Sequence, residues 1–121
     1  MTNPTKQMSP VDSAWLHMEE STNLMMITGV SLLDKPLDFE RFRKTVEVRL
    51  CSLDRFTMRV VEPALPLGTP HWEADPNFDL DAHIHRVALP EPGDMTELQR
   101  FISDLASTPL DFSKPLWNIH L

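Results

Sequence analysis

The sequence predicts an α/β (α+β) fold, on three observations. Apolar residues recur at helical spacing in three separated segments, the first and third of them opened by a residue able to cap a helix. Between them lie short runs rich in Val, Ile, Met and Trp that suit strands. Eleven prolines against three glycines, about twice the usual ~5% proline share, mark stiff connections between short elements.

Residues 1–8 read as a flexible polar tail, with ordered structure expected over 9–121. Ser9 and Pro10 supply a cap and a first helical residue, and Asp12 sits in the first turn, so a helix is expected to about Glu19. Its apolar residues Val11, Ala14, Trp15 and Met18 share one face, expected to be buried. Met25–Leu33 reads as a strand apolar on both faces, suited to burial between layers. Lys35-Pro36 breaks it. A second helix is expected from about Asp38 to Cys51, with Phe39, Phe42, Val46 and Leu50 in one stripe. Phe56–Glu62 reads as a strand, and residues 63–70, with three prolines and a glycine, as a loop. A short strand at Trp72, turns over 75–81 and a strand over His83–Leu89 follow. Asp94 with Glu97 opens a third helix in the manner of a capping box, with Leu98, Phe101, Ile102 and Leu105 as its stripe. Pro109–Pro115 reads as loop. Trp117–Leu121 is a strand just beginning, without a turn or cap after it, so the sequence predicts an incomplete unit that needs further polypeptide.

Composition narrows the function. With 41% apolar and 24% charged residues, the chain is expected to fold. A net charge of −7 argues against nucleic acid, because an acidic chain gains nothing from counterion release on a phosphate backbone. It also argues against a purely electrostatic grip on anionic lipid. Cys51 is the only cysteine, so no internal disulfide can form and a reducing cytoplasm fits best. The first residues have no apolar core for a signal peptide. No stretch approaches the ~20 apolar residues of a membrane span; the longest pure run is Leu24 to Ile27. A soluble or peripheral protein is expected.

No catalytic residue and no metal site is expected within these residues. His83 and His85 share one strand face as a half-site, but spacing places no third ligand. Asp75, Asn77, Asp79 and Asp81 imitate a calcium loop, yet Leu80 stands where glycine is needed and Arg86 where glutamate is needed. Turn capping accounts better for these carboxylates. Cys51, ending an apolar stripe, reads as a small buried hydrophobe rather than a nucleophile. There is no Gly-x-Ser-x-Gly elbow and no phosphate-cradling glycine loop.

Three stretches taken in order carry a resemblance. They are Ser-Pro-Val-Asp-Ser-Ala-Trp-Leu at 9–16 with Met25-Met26 after it, Trp-Glu-Ala-Asp-Pro-Asn-Phe-Asp-Leu-Asp-Ala-His-Ile at 72–84 running into Ala-Leu-Pro-Glu-Pro-Gly at 88–93, and Pro-Leu-Asp-Phe-Ser-Lys-Pro-Leu-Trp at 109–117. Over residues 8–121 the chain resembles the first portion of the bacterial wax ester synthase/diacylglycerol acyltransferase family. The resemblance implies a chloramphenicol-acetyltransferase-like, CoA-dependent acyltransferase lobe, with 9–121 as its first part, ending before the family's His-His-x-x-x-Asp-Gly motif. There the second histidine acts as general base on a fatty alcohol or diacylglycerol hydroxyl, which attacks the acyl thioester. Nothing in this chain matches that motif, so no catalytic residue is carried over.

The implied partners are acyl-CoA, as substrate rather than cofactor, a fatty alcohol or diacylglycerol, and the remaining C-terminal portion of the enzyme. The implied location is the cytoplasm, including the periphery of the inner membrane or lipid inclusions. Where family members often read Pro-Met-His, this chain has Leu24-Met25-Met26. Met25 and Met26 are therefore candidates to wall an alkyl channel, where each buried methylene contributes ~0.8 kcal/mol; filling core is an equal reading. Pro115, Leu116 and Trp117 are candidates for substrate contact, with a structural corner the favoured reading. Two further functions stay open: an inactive lipid- or partner-binding fragment, and a condensation-type acyltransferase that uses a carrier-protein thioester.

Overall fold

The computed structural model describes residues 4–121. Two small sheets organise them. The first is antiparallel, in the order β1 (Thr5–Gln7), β3 (His71–Ala74), β2 (Met58–Val61), with Val60 and Lys6 both opposite Trp72. Residues 5–7, expected in a flexible tail, thus form an edge strand, and Met8 after them is 3% exposed. The correction has a simple cause: an edge strand of Thr, Lys and Gln is held by backbone bonds, so it shows no apolar alternation. Met8, Met58, Val60 and Trp72 form the core of this half, with Leu16 and Leu116 packed against it.

The second sheet is a parallel pair, β4 (Ile84–His85) with β5 (Ile119–His120). Bonds from Ile119 N–H to His83 O and from Leu121 N–H to His85 O, both 2.8 Å, build it, and Val87 N–H to Leu121 O, 2.8 Å, extends it. Parallel strands need a crossover, and α3 (Met95–Ala106) lies within the connection. Asp94 caps α3 by accepting from Glu97 N–H at 3.1 Å. Gly93, at φ 67°, supplies the left-handed turn before it.

Helix α1 (Pro10–Met18) starts as its sequence dictates, with Ser9 Oγ accepting from Asp12 N–H at 3.1 Å. Its expected buried stripe is not buried: Val11, Trp15 and Met18 are all more than half exposed. Leu16 is the residue that meets the core. Periodicity shows that a stripe exists but not what covers it. Helix α2 (Phe39–Thr45) is capped by Asp38 on Arg41 N–H at 2.9 Å. It widens into one π turn over Val46–Leu50, closed by Cys51 N–H on Val46 O at 3.1 Å. Its expected stripe packs as read, with Phe39, Phe42 and Leu50 around the second core of Val46, Leu80 and Ile84. Arg43 ties α2 to Asp81 at 2.6 Å, which holds the Asp81 carboxyl below its usual range.

The expected strand over Met25–Leu33 is absent. Residues 24–33 carry no helix, strand or turn, and Ile27 is 95% exposed. Among the described residues, the segment's only backbone N–H bond is from Met25 to the Glu19 carboxylate, at 2.5 Å. Its residue types suit a strand, but a strand also needs a ladder partner. The strand expected over 56–62 begins only at Met58, because Asp54–Phe56 forms a 3-10 turn. The one expected over 83–89 shrinks to Ile84–His85.

Candidate functional site

A half-open, largely apolar cavity of about 1270 Å³ lies among these elements, and the unpaired 25–33 segment supplies a continuous part of its lining. The α3 stripe Leu98, Phe101, Ile102 and Leu105 contributes a second part, and Leu16, Val60 and Trp72 of the first core a third. Of the sequence candidates, Met25, Met26, Leu116 and Trp117 line this one space, whereas Pro115 is buried beside it and is not part of the lining.

Pro115, Leu116 and Trp117 form the joint between the two cores. Trp117 N–H donates to Pro115 O at 2.9 Å, an i to i+2 turn. Leu116 packs on the first core and Trp117 on the second. The Trp117 indole N–H donates to Phe56 O at 2.8 Å. Its ring stacks on His83 at 4.6 Å and meets Phe56 edge-on at 6.0 Å. His83 is 2% exposed and stacks on Phe78 at 5.5 Å on top of its contact with Trp117. His83 Nδ1–H also donates to Trp117 O at 2.7 Å. The His83 of the sequence half-site is therefore a bonded core residue.

His85 and His120, directly paired across β4 and β5, stack at 4.7 Å with 20° between their planes. Phe101 of α3 meets His120 edge-on at 5.7 Å. His85 Nε2–H donates to Asn118 Oδ1 at 3.3 Å. Burial, and then the neighbouring His85, push the His120 imidazole below its ordinary 6.5. The sign follows: a base that folding makes less basic contributes stability that is whole above the ordinary value and is lost as pH falls through the lowered one. Urea melts at pH 7.5 and pH 5 are expected to show wild type losing more stability on acidification than His120→Phe; equal losses contradict this.

The charged side chains of the lining each have a partner among the described residues. Arg55 pairs with Asp12 at 3.2 Å and lies over the Trp72 ring at 4.2 Å, while Glu19 holds Met25 N–H. Trp72 Nε1 is buried without a hydrogen-bond partner among the described residues. The Arg55 contacts were not legible in the sequence, since Asp12 and Trp72 both lie far from it along the chain.

Among the described residues, no group of three His, Cys, Asp or Glu side chains could hold a metal ion. Burial and Glu47 push the Cys51 thiol up, away from the reactive thiolate. Asp75 accepts from Asn77 N–H at 2.9 Å and Asp79 from Asp81 N–H at 3.0 Å, so these two acidic residues cap turns. No helix among the described residues is long and apolar enough to cross a membrane. The arrangement can bind and shield an apolar chain; it presents no nucleophile activated by a base.

Comparison with known proteins gives a consistent answer. The family profile described as "Wax ester synthase/diacylglycerol acyltransferase catalytic domain" matches residues 8–121. "Probable diacyglycerol O-acyltransferase tgs3" of Mycobacterium tuberculosis is 36% identical over 118 residues, covering 95% of this chain and 44% of that protein. "Probable diacyglycerol O-acyltransferase tgs1" of the same organism is 33% identical over 115 residues, covering 93% and 25%. The solved wax ester synthase/diacylglycerol acyltransferase of Marinobacter aquaeolei VT8 superposes with a TM-score of 0.67 at 24% identity, over 96% of this chain and 29% of that one. At that identity the likeness is one of fold. The chain spans under half the length of each of these relatives.

Proposed function

The chain belongs to the bacterial wax ester synthase/diacylglycerol acyltransferase family, and from that premise we propose that it is the first part of the amino-terminal lobe of an acyl-CoA-dependent O-acyltransferase, contributing an alkyl-binding wall. The observation that carries this reading is the apolar cavity lined by the 25–33 segment and the α3 stripe. Apolar side chains there hold a long chain by removing it from water, at ~0.8 kcal/mol per methylene. They also keep water from competing for the thioester.

In the reaction, the hydroxyl oxygen of a long-chain alcohol or diacylglycerol forms a bond to the thioester carbonyl carbon. The carbon–sulfur bond breaks, the proton leaves the hydroxyl for a general base, and the protonated base returns it to the departing thiolate, so CoA leaves as the thiol. The base is expected from further polypeptide, the part that carries the family's His-His-x-x-x-Asp-Gly motif, which residues 1–121 lack. Met25, Met26 and Leu116 act by contact with the alkyl chain. Trp117, whose polar atoms are used by Phe56 and His83, acts by fixing the joint that shapes the cavity.

The same lack of a base fits a chain that binds lipid without turnover, and one assay separates the readings. Palmitoyl-CoA with hexadecanol or dioleoylglycerol is expected to give ester when residues 1–121 are joined to the C-terminal portion, and none with residues 1–121 alone. Ester from neither alcohol in the joined protein, with transfer from an acylated carrier protein instead, removes the wax ester and triacylglycerol assignment.

A further inference from the structure

The cavity lining holds a single imidazole, that of His120. The lining's carboxylates and its one guanidinium are engaged, Asp12 with Arg55 and Glu19 with Met25 N–H. Thr108 donates to Asp104 O at 2.6 Å, and Asn118 accepts from His85 at 3.3 Å. His120 differs: neither ring nitrogen has a hydrogen-bond partner among the described residues. Its orientation is set by ring contacts alone, His85 at 4.7 Å and Phe101 at 5.7 Å.

A neutral imidazole offers one N–H donor and one nitrogen acceptor. A hydroxyl offers the same pair, so the two are complementary in both directions, whereas a carboxylate finds no counter-charge in a neutral ring. Binding sites for apolar ligands combine apolar walls with a few placed polar groups that fix orientation. Here the walls are Met26, Ile102 and their neighbours. Of the lining's unpartnered side-chain groups, Thr28 and Ser31 are exposed and the Trp15 and Trp72 indoles can only donate, which leaves His120 as the half-buried group able both to donate and to accept. Burial and the neighbouring His85 both favour the neutral ring.

We propose that His120 is the polar anchor of the cavity, a positioning residue that holds the hydroxyl of a long-chain alcohol or acylglycerol while the alkyl chain lies along the 25–33 segment and α3. The assignment rests on the acyltransferase reading for its biological meaning, but binding can be tested without turnover. It also assigns direction: the hydroxyl end sits at β5, the last strand of the described chain.

The probe is 1-decanol, titrated into the joined protein while the His120 Cε1–H resonance is followed by NMR. That resonance is expected to shift saturably. His120→Phe keeps a ring between His85 and Phe101 and removes both nitrogens, so 1-decanol binding is expected to weaken about fivefold, the worth of one neutral hydrogen bond. His120→Gln restores a donor and an acceptor and is expected to stay within about twofold of wild type. Wild type is expected to prefer 1-decanol to decanoate, and His120→Phe to narrow that preference by up to about the same fivefold. An unmoved His120 resonance at saturation, or His120→Phe binding 1-decanol as tightly as wild type, overturns the proposal. Should His120→Phe fail to fold, the wild-type resonance and His120→Gln decide it. If 1-decanol binds as described but the joined protein makes no ester, the acyltransferase reading fails and the anchor stands; ester formation with no His120 response has the opposite meaning.

Discussion

Replacing Trp117 with alanine is expected to destabilise the chain by about 3 kcal/mol, the lower end of the range for truncating a large packed aromatic, because Trp117 is half-buried. The residue stacks on His83, meets Phe56 edge-on and packs on the second core, next to Leu116 on the first. Its removal leaves Phe56 O without its indole donor and takes the cover from one face of His83. With a total stability for small domains of only ~5–15 kcal/mol, this is a large fraction. Trp117→Phe keeps an aromatic ring against His83 and loses the indole bond, and is expected to cost about 1–2 kcal/mol. Urea denaturation of the three proteins checks the order. A Trp117→Ala loss below about 1 kcal/mol would show that the joint between the cores does not depend on this ring.

The second large effect is expected at Ile102. An aspartate there places a carboxylate among Leu98, Phe101 and Leu105 on the cavity-lining stripe of α3. An unpaired charge beside a bound alkyl chain loses several kcal/mol of hydration or forces the chain out. Ile102→Asp in the joined protein is expected to cut turnover of hexadecanol by at least about a hundredfold, equivalent to ~2.7 kcal/mol. Melting should change far less, because Ile102 is only half-buried without ligand. Full turnover in a folded Ile102→Asp protein would place the alkyl chain elsewhere.

What could be read from the sequence was what local chemistry decides. Ser9 and Asp94 cap α1 and α3 because each hydroxyl or carboxylate is within three residues of the N–H it accepts from. The Phe39, Phe42, Val46 and Leu50 stripe was legible because its partners are apolar whatever their identity. Pro115–Trp117 was legible as a corner, since a proline before a strand and a tryptophan after it constrain the chain locally. What needed a distant partner was not legible. Thr5–Gln7 pairs with β3 almost seventy positions away, and nothing in Thr-Lys-Gln announces it. The stacking of His85 on His120 depends on the register of two strands joined through α3. Met25–Leu33 shows the converse: its residues have strand character, and no described strand pairs with it. The sequence predicts a buried face on α1 and an apolar stripe on α3, and residues of both line the cavity. A stripe that holds ligand and a stripe that fills core have the same periodicity.

The central claim is that an alkyl chain occupies the space between residues 25–33 and α3. Photolabelling tests it most directly: a hexadecanol analogue with a diazirine at mid-chain is irradiated with the joined protein, and the adducts are mapped by mass spectrometry. The account predicts adducts within 25–33 and 98–105 that decline when unlabelled hexadecanol competes. Competed adducts confined to other segments, with these two unlabelled, would contradict it.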